Sequence, residues 1–149
     1  MTQVCPFCLI VKREMPAYIM AENDHCLAFL DAKPNSKGHT LIISKKHAKN
    51  VTELEQADWN DVFPFLKEVV SKLQNTFKKP EIRGFNFISN MNDENIIEER
   101  ITAYQSVHHF HLHIIPRYEK DEGFVWMSKE KKEAIDLVEV AKKLDIKNK

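Results

Sequence analysis

The chain of 149 residues has no net charge: Lys and Arg total 22, and Asp and Glu total 22. That balance gives no electrostatic support for wholesale binding to nucleic acid or to an anionic membrane surface. No apolar run is long enough to span a bilayer. The opening residues, Met1-Thr2-Gln3-Val4-Cys5-Pro6, lack the basic and apolar regions of a signal peptide. A cytoplasmic location is the expectation. Internal repeats, low-complexity segments and convincing linkers are also missing, and the length suits one domain, 1–149, with one core. Cysteine is scarce, at three residues. In a reducing compartment, a Cys-x-x-Cys pair is expected to be a metal or redox site rather than a structural disulfide.

What is present is ordinary for a globular chain, with 43% apolar and 30% charged residues. Pro6 to Lys12 reads as a short helix with proline in its first turn. Residues 17–21 and 25–31 read as strands joined at Glu22-Asn23-Asp24. Pro34-Asn35-Ser36-Lys37-Gly38 has turn chemistry, and Thr40 to Ser44 reads as a third strand. Thr52 is placed to cap a helical region reaching about Phe77. Leu54, Val62, Phe65, Leu66, Val69, Val70 and Leu73 supply its apolar stripe, and Pro64 is expected to kink or break it. Residues 83–90 and 107–115 read as further strands, and an amphipathic helix is expected over about 129–144. This mixture of meandering strands and helices is α+β.

The most informative stretch is His109-Phe110-His111-Leu112-His113-Ile114-Ile115. Successive strand side chains point to opposite faces, so a strand here aligns His109, His111 and His113 on one face. Phe110, Leu112 and Ile114 fall on the other, where a core can take them. A row of imidazoles suits proton transfer, nucleophilic attack, metal binding or anion binding. Cys5-Pro6-Phe7-Cys8 offers paired thiolates that can hold zinc, to which two imidazoles would add a tetrahedral set. A redox pair and two buried cysteines are the other readings.

With its flanks, the stretch runs Gln105-Ser106-Val107-His108 before the row and Pro116-Arg117 after it. It resembles the motif of the histidine-triad (HIT) family of nucleotide hydrolases and transferases: His-φ-His-φ-His-φ-φ, with φ apolar, after Gly-Gln-Ser/Thr. Cys26 to Pro34 resembles the family's nucleotide-pocket strand and turn, and Gly38 to His47 the strand that follows. The similarity runs from about Cys5 to Trp126, and the paired cysteines resemble those of the bacterial-type, Hint-like branch. The fold so implied is a curved antiparallel sheet with helices on one side, usually in a two-fold homodimer.

The resemblance implies that His111 attacks the α-phosphate of a purine nucleotide conjugate to give a nucleotidyl-histidine. His113 would donate to the phosphate oxygens, beside Ser106 and Gln105. Asn90 matches a phosphate-site residue and Asp31 the ribose ligand. Phe29 and Ile10 match walls of the base pocket, although a core aromatic explains Phe29 equally well. Structural Zn2+ would be held by Cys5, Cys8, His47 and His109. Cys26 is expected in the core. His25 and His39 carry no expected task, His108 points away from the row, and Arg117 and Lys45 read as solvated charges. One departure stands out: Tyr104 occupies the place of the motif's glycine, after a longer stretch, 91–104. Dinucleoside polyphosphate hydrolysis and low-turnover nucleotide binding are the competing functions.

Overall fold

A computed structural model describes residues 4–92, 103–121 and 137–144. The elements in order are α1 (Pro6–Val11), β1 (Ile19–Glu22), β2 (Cys26–Leu30), β3 (Thr40–Ser44), α2 (Gln56–Thr76), β4 (Gly84–Ile88), β5 (His111–Arg117) and α3 (Leu137–Lys143). The five strands make one antiparallel sheet in the order β1-β2-β3-β5-β4. This is the expected α+β class with an open antiparallel sheet. No helix among the described residues is long and apolar enough to cross a membrane.

The central strand β3, Thr-Leu-Ile-Ile-Ser, is buried at every position. An apolar run without alternation is what a strand covered on both faces requires. On one face Cys26, Ala28, Ile42, Phe110 and Ile114 pack with Val62, Phe65, Val69 and Leu73 of α2. The 3-4-4 spacing of those helix residues gives the stripe, and each buried side chain contributes roughly 1.5–3 kcal/mol. On the opposite face Phe7 and Ile10 of α1 pack with Leu27, Phe29, Leu41 and Ile43. The register pairs His111 with Ile43 and His113 with Leu41, so both histidines share the face that carries α1.

Several local expectations need correction. Thr52 does not cap the long helix: Asn50 caps a short 3-10 turn over Val51–Glu53. The helix starts after Glu55, whose N–H donates to Asp58 Oδ2 at 3.0 Å in a capping box. Helix α2 continues through Pro64, which is exposed, while the neighbouring Val62 and Phe65 are buried. The buried stripe on either side outweighs the hydrogen bond lost at proline. The last strand begins at His111 rather than Val107, because the backbone from 107 to 110 is spent on a bend. His109 N–H donates to Val107 O at 2.8 Å and Phe110 N–H to Ala48 O at 2.6 Å. Of the expected C-terminal helix, 137–143 is helical, and 129–136 lies outside the described residues.

Gly38 sets the approach to β3. Its φ is +83°, and a Cβ there would lie 2.9 Å from Phe77 Cε2 and 3.2 Å from Leu73 Cδ2. Both backbone angle and space therefore demand glycine. Gly38→Ala is expected to lower unfolding free energy by about 1–3 kcal/mol. A urea midpoint equal to wild type would show that neither constraint operates.

Candidate functional site

The bend before β5 turns Phe110 into the core against α2 and leaves His109 fully buried among the N-terminal cysteines. His109 Nε2–H donates to Ser44 O at 2.8 Å, so the proton of a neutral ring is on Nε2 and Nδ1 presents a lone pair. Around that lone pair stand Cys5 Sγ at 3.3 Å, Cys8 Sγ at 3.5 Å and His47 Nδ1 at 3.3 Å. Cys8 Sγ is 3.3 Å from His47 Nδ1, and all four donor atoms lie within 4.8 Å of one another. A tetrahedron with zinc–sulfur and zinc–nitrogen bonds of about 2.3 and 2.05 Å has edges of roughly 3.3–3.8 Å, so the set fits. Burial pulls His109 down to about 4, which keeps it a neutral ligand. Burial and the adjoining Cys5 thiol push Cys8 up to about 11, so its thiolate needs the positive charge a divalent cation brings. The Ser44 carbonyl serves as the outer partner that orients the His109 ring.

His109 thus stands before the strand, and the expected straight row of three becomes a pair on β5 with one histidine displaced beneath it. The displaced residue reaches its neighbour through its backbone. His111 Nδ1–H donates to His109 O at 2.7 Å, which leaves the ring's lone pair on Nε2. His111 is 3% exposed, and burial lowers its pKa, so the ring is neutral at pH 7. His113 lies with its ring centroid 5.1 Å from that of His111, and burial pulls it down to about 4. Phe7, which the cysteine spacing alone does not single out, packs edge-on to His111 with centroids 5.3 Å apart. It also touches His109 and Phe29, so one ring supports both clusters.

The other predicted residues separate into open and occupied groups. Asp31 is a turn former as well as a candidate ligand: Oδ1 accepts Lys33 N–H at 2.8 Å, while Oδ2 lies 3.5 Å from His39 Nε2 and 3.8 Å from His113 Nδ1. A cleft of about 350 Å³ opens beside it, lined by Leu30, Pro34, Ser36, Lys37 and His39. Phe29 and Ile10 are only 4% and 5% exposed and lie in the α1-side core. Ser106 is exposed. Asn90, two residues past β4, is exposed and directs its amide at Tyr104 O, 3.4 Å away. Gln105 is buried; its amide donates to Lys49 O at 2.6 Å and its side-chain carbonyl accepts Asn92 N–H at 3.1 Å. Both ends of that side chain therefore brace the loop.

Three residues expected to stand alone do not. His39 is buried and lies 3.0 Å from His113. His25 Nδ1 meets Asp58 Oδ1 at 3.1 Å, tying β2 to the start of α2. Arg117 is held by Asn86 at 2.7 Å and by Asp121 at 3.0 Å. Lys45 remains a surface charge, paired with Glu22 at 2.9 Å. His108 is exposed, and Cys26 is fully buried.

Residues 12–120 match the family model described as the HIT domain. The chain belongs to the HIT family. It is 38% identical over 141 residues to an uncharacterized HIT-like protein of Methanocaldococcus jannaschii, spanning 95% of this chain and 98% of the relative. It is 39% identical over 119 residues to the adenosine 5'-monophosphoramidase of Schizosaccharomyces pombe, spanning 80% and 79%. Its structure aligns with the crystal structure of a HIT family member from Bacillus subtilis at a TM-score of 0.75 and 33% identity, covering 96% of each chain.

Within this HIT chain, Tyr104 has φ +58°, the left-handed region that costs a residue with a Cβ about 1–2 kcal/mol. The backbone has kept the conformation that suits the motif's glycine although the residue is tyrosine, and the side chain is 61% exposed. Tyr104→Gly should therefore unfold later than Tyr104→Ala, by the equivalent of about 1 kcal/mol, the reverse of the usual order. Equal denaturation midpoints for the two variants would contradict this.

Proposed function

We propose that the protein is a nucleotide hydrolase that cleaves purine nucleotide conjugates, phosphoramidates foremost, at the α-phosphorus. The observation that carries this reading is the pinned proton of His111. With Nδ1–H held by His109 O at 2.7 Å, the free Nε2 lone pair of a neutral imidazole is the nucleophile. It forms a bond to phosphorus as the bond to the leaving nitrogen breaks, and that nitrogen takes a proton from solvent to depart as the amine. Water then attacks the nucleotidyl-histidine, breaks the P–Nε2 bond, and returns neutral His111 with the nucleoside monophosphate and one proton released to solvent. The transition state spreads charge over the phosphate oxygens and needs donors, not carboxylates, around it. His113, neutral and on the same strand face, is the neighbouring such group, with Ser106 and Asn90 exposed on the loops before β5 and after β4. Asp31 Oδ2 is suited to ribose hydroxyls at the mouth of the adjoining cleft. The relative named an adenosine 5'-monophosphoramidase supports an adenine nucleotide and an amine leaving group.

Cys5, Cys8, His47 and His109 would hold the zinc ion in this reading. A closed set of four protein ligands gives the ion a structural task, tying the N-terminus to the nucleophile's strand. The reading includes a two-fold homodimer, supported by the edge position of β4 and the half-exposed Phe87 on it.

Hydrolysis of a fluorogenic adenosine phosphoramidate by wild type and His111→Asn tests the chemistry. Wild type should turn over, and the variant should lose about 10⁴-fold or more in kcat while still binding AMP. Turnover unchanged in His111→Asn would sink the mechanism. Binding of AMP without turnover by wild type would favour a low-turnover binding protein, and cleavage of a dinucleoside polyphosphate alone would favour that substrate class. Metal analysis should give close to one zinc per chain, and Cys8→Ser should lower both zinc content and Tm. A zinc ratio near zero in protein purified without chelator would overturn the four-ligand assignment.

A further inference from the structure

His39 makes three polar contacts that together leave it one protonation state. It lies immediately before β3 and is 2% exposed. Its Nδ1 accepts the backbone N–H of Asn35 at 3.1 Å. Its Nε2 is 3.0 Å from His113 Nδ1 and 3.5 Å from Asp31 Oδ2. A neutral imidazole carries one ring proton, and a backbone N–H cannot give its proton away. Nδ1 of His39 is therefore the acceptor, and the ring proton is on Nε2. The doubly protonated ring is excluded for the same reason, in keeping with the lowering of its pKa by burial. Nε2–H in turn meets His113 Nδ1, which must accept it. The single proton of neutral His113 is then on its own Nε2.

We infer that His39 is a positioning residue that fixes the tautomer of His113, so that His113 offers phosphate an Nε2–H donor and never a lone pair. The inference rests on the phosphate-site reading of His113 given above. It gives the strand pair opposite polarity: a backbone carbonyl makes His111 a lone-pair donor, and a backbone N–H, relayed through His39, makes His113 a proton donor. Two adjacent lone pairs would repel the same phosphate oxygens that the transition state loads with charge.

Asp31, His39 and His113 also bring three possible ligand atoms within 4.8 Å of one another, which raises a second cation as the rival. The Asn35 contact decides against it. A cation on His39 Nε2 would move the ring proton to Nδ1, where it would face the Asn35 N–H head-on across 3.1 Å. A proton chain satisfies every contact in the cluster, and a cation does not.

Nitrogen NMR of histidine-labelled, zinc-loaded full-length protein at neutral pH reads the tautomers directly, without substrate. Wild type should show His113 and His39 both protonated on Nε2 only. His39→Leu should give His113 a mixture of tautomers and lose roughly 10- to 100-fold in kcat on the adenosine phosphoramidate, with AMP affinity within about twofold. His39→Gln, whose amide N–H can take the place of Nε2–H, should restore the His113 tautomer and most of kcat. If the Leu variant fails to give dispersed amide signals, His39→Met takes its place. Wild-type His113 protonated on Nδ1 would overturn the inference. So would a loss of kcat in His39→Leu with the His113 tautomer unchanged, or a shift of the His39 and His113 signals by a second equivalent of zinc. Failure of wild type to turn over would remove the catalytic role while leaving the tautomers readable, so the two failures are distinct.

Discussion

The cysteine cluster and the His111 proton both hang from His109, three of whose four polar groups reach three different parts of the chain. Nδ1 faces the N-terminal cysteines and His47, Nε2–H anchors on the end of β3 at Ser44, and the carbonyl fixes the His111 proton. A residue inside a regular strand cannot do this, because its N–H and carbonyl are committed to the ladder. The bend from 107 to 110 frees that carbonyl, and the cost of the lost ladder is met by the bonds to Val107 and Ala48. The bend is thus the device that converts a repeating His-x-His-x-His pattern into one buried anchor and two neighbouring rings on β5.

Burial has a second consequence in the same place. It holds His109 and His113 at about 4 and lowers His111 and His39 too, so all four rings are neutral near pH 7. For such groups the chemistry depends on which nitrogen carries the proton, and that is set by fixed backbone dipoles. Ser44 O, His109 O and Asn35 N–H each assign one ring. Backbone groups already held in place cost no reorganisation when charge develops, which is the general condition for electrostatic preorganisation.

The sequence is most legible where one local rule has no competitor. The apolar run of β3 and the stripe of α2 emerge at their observed positions because burial on two faces, or on one, leaves a distinct period. His111 and His113 share a face as the alternation requires. The rule fails at His109, because an alternating pattern does not reveal where the ladder stops and a bend begins. It fails again at Thr52, where Asn50 and the Glu55–Asp58 box capture the caps that a lone threonine would otherwise supply. His39 looks idle because its partners, Asn35 across a turn and His113 on a strand 74 residues away, meet only in three dimensions. The Gly-His pair is a local hint, since Gly38, at φ +83°, lies in the turn between Asn35 and His39.

Tyr104 shows the opposite relation between sequence and backbone. Its φ of +58° is the conformation glycine would adopt there, held in place although the residue disfavours it. Gln105 next door explains how: its side chain bridges Lys49 O and Asn92 N–H, and Asn92 returns a bond to Gln105 O at 3.2 Å and accepts one from Ala103 N–H at 3.0 Å. Four hydrogen bonds around two residues over-determine the turn, and strain of this size persists only where surroundings do so. The exposed ring of Tyr104 therefore projects from a rigid turn. Its carbonyl faces Asn90, and Ser106 follows two residues on, so the ring stands where the loop after β4 meets the loop before β5. Tyr104 thus sits at a backbone angle that glycine favours, and what the residue adds there is an exposed ring beside Asn90.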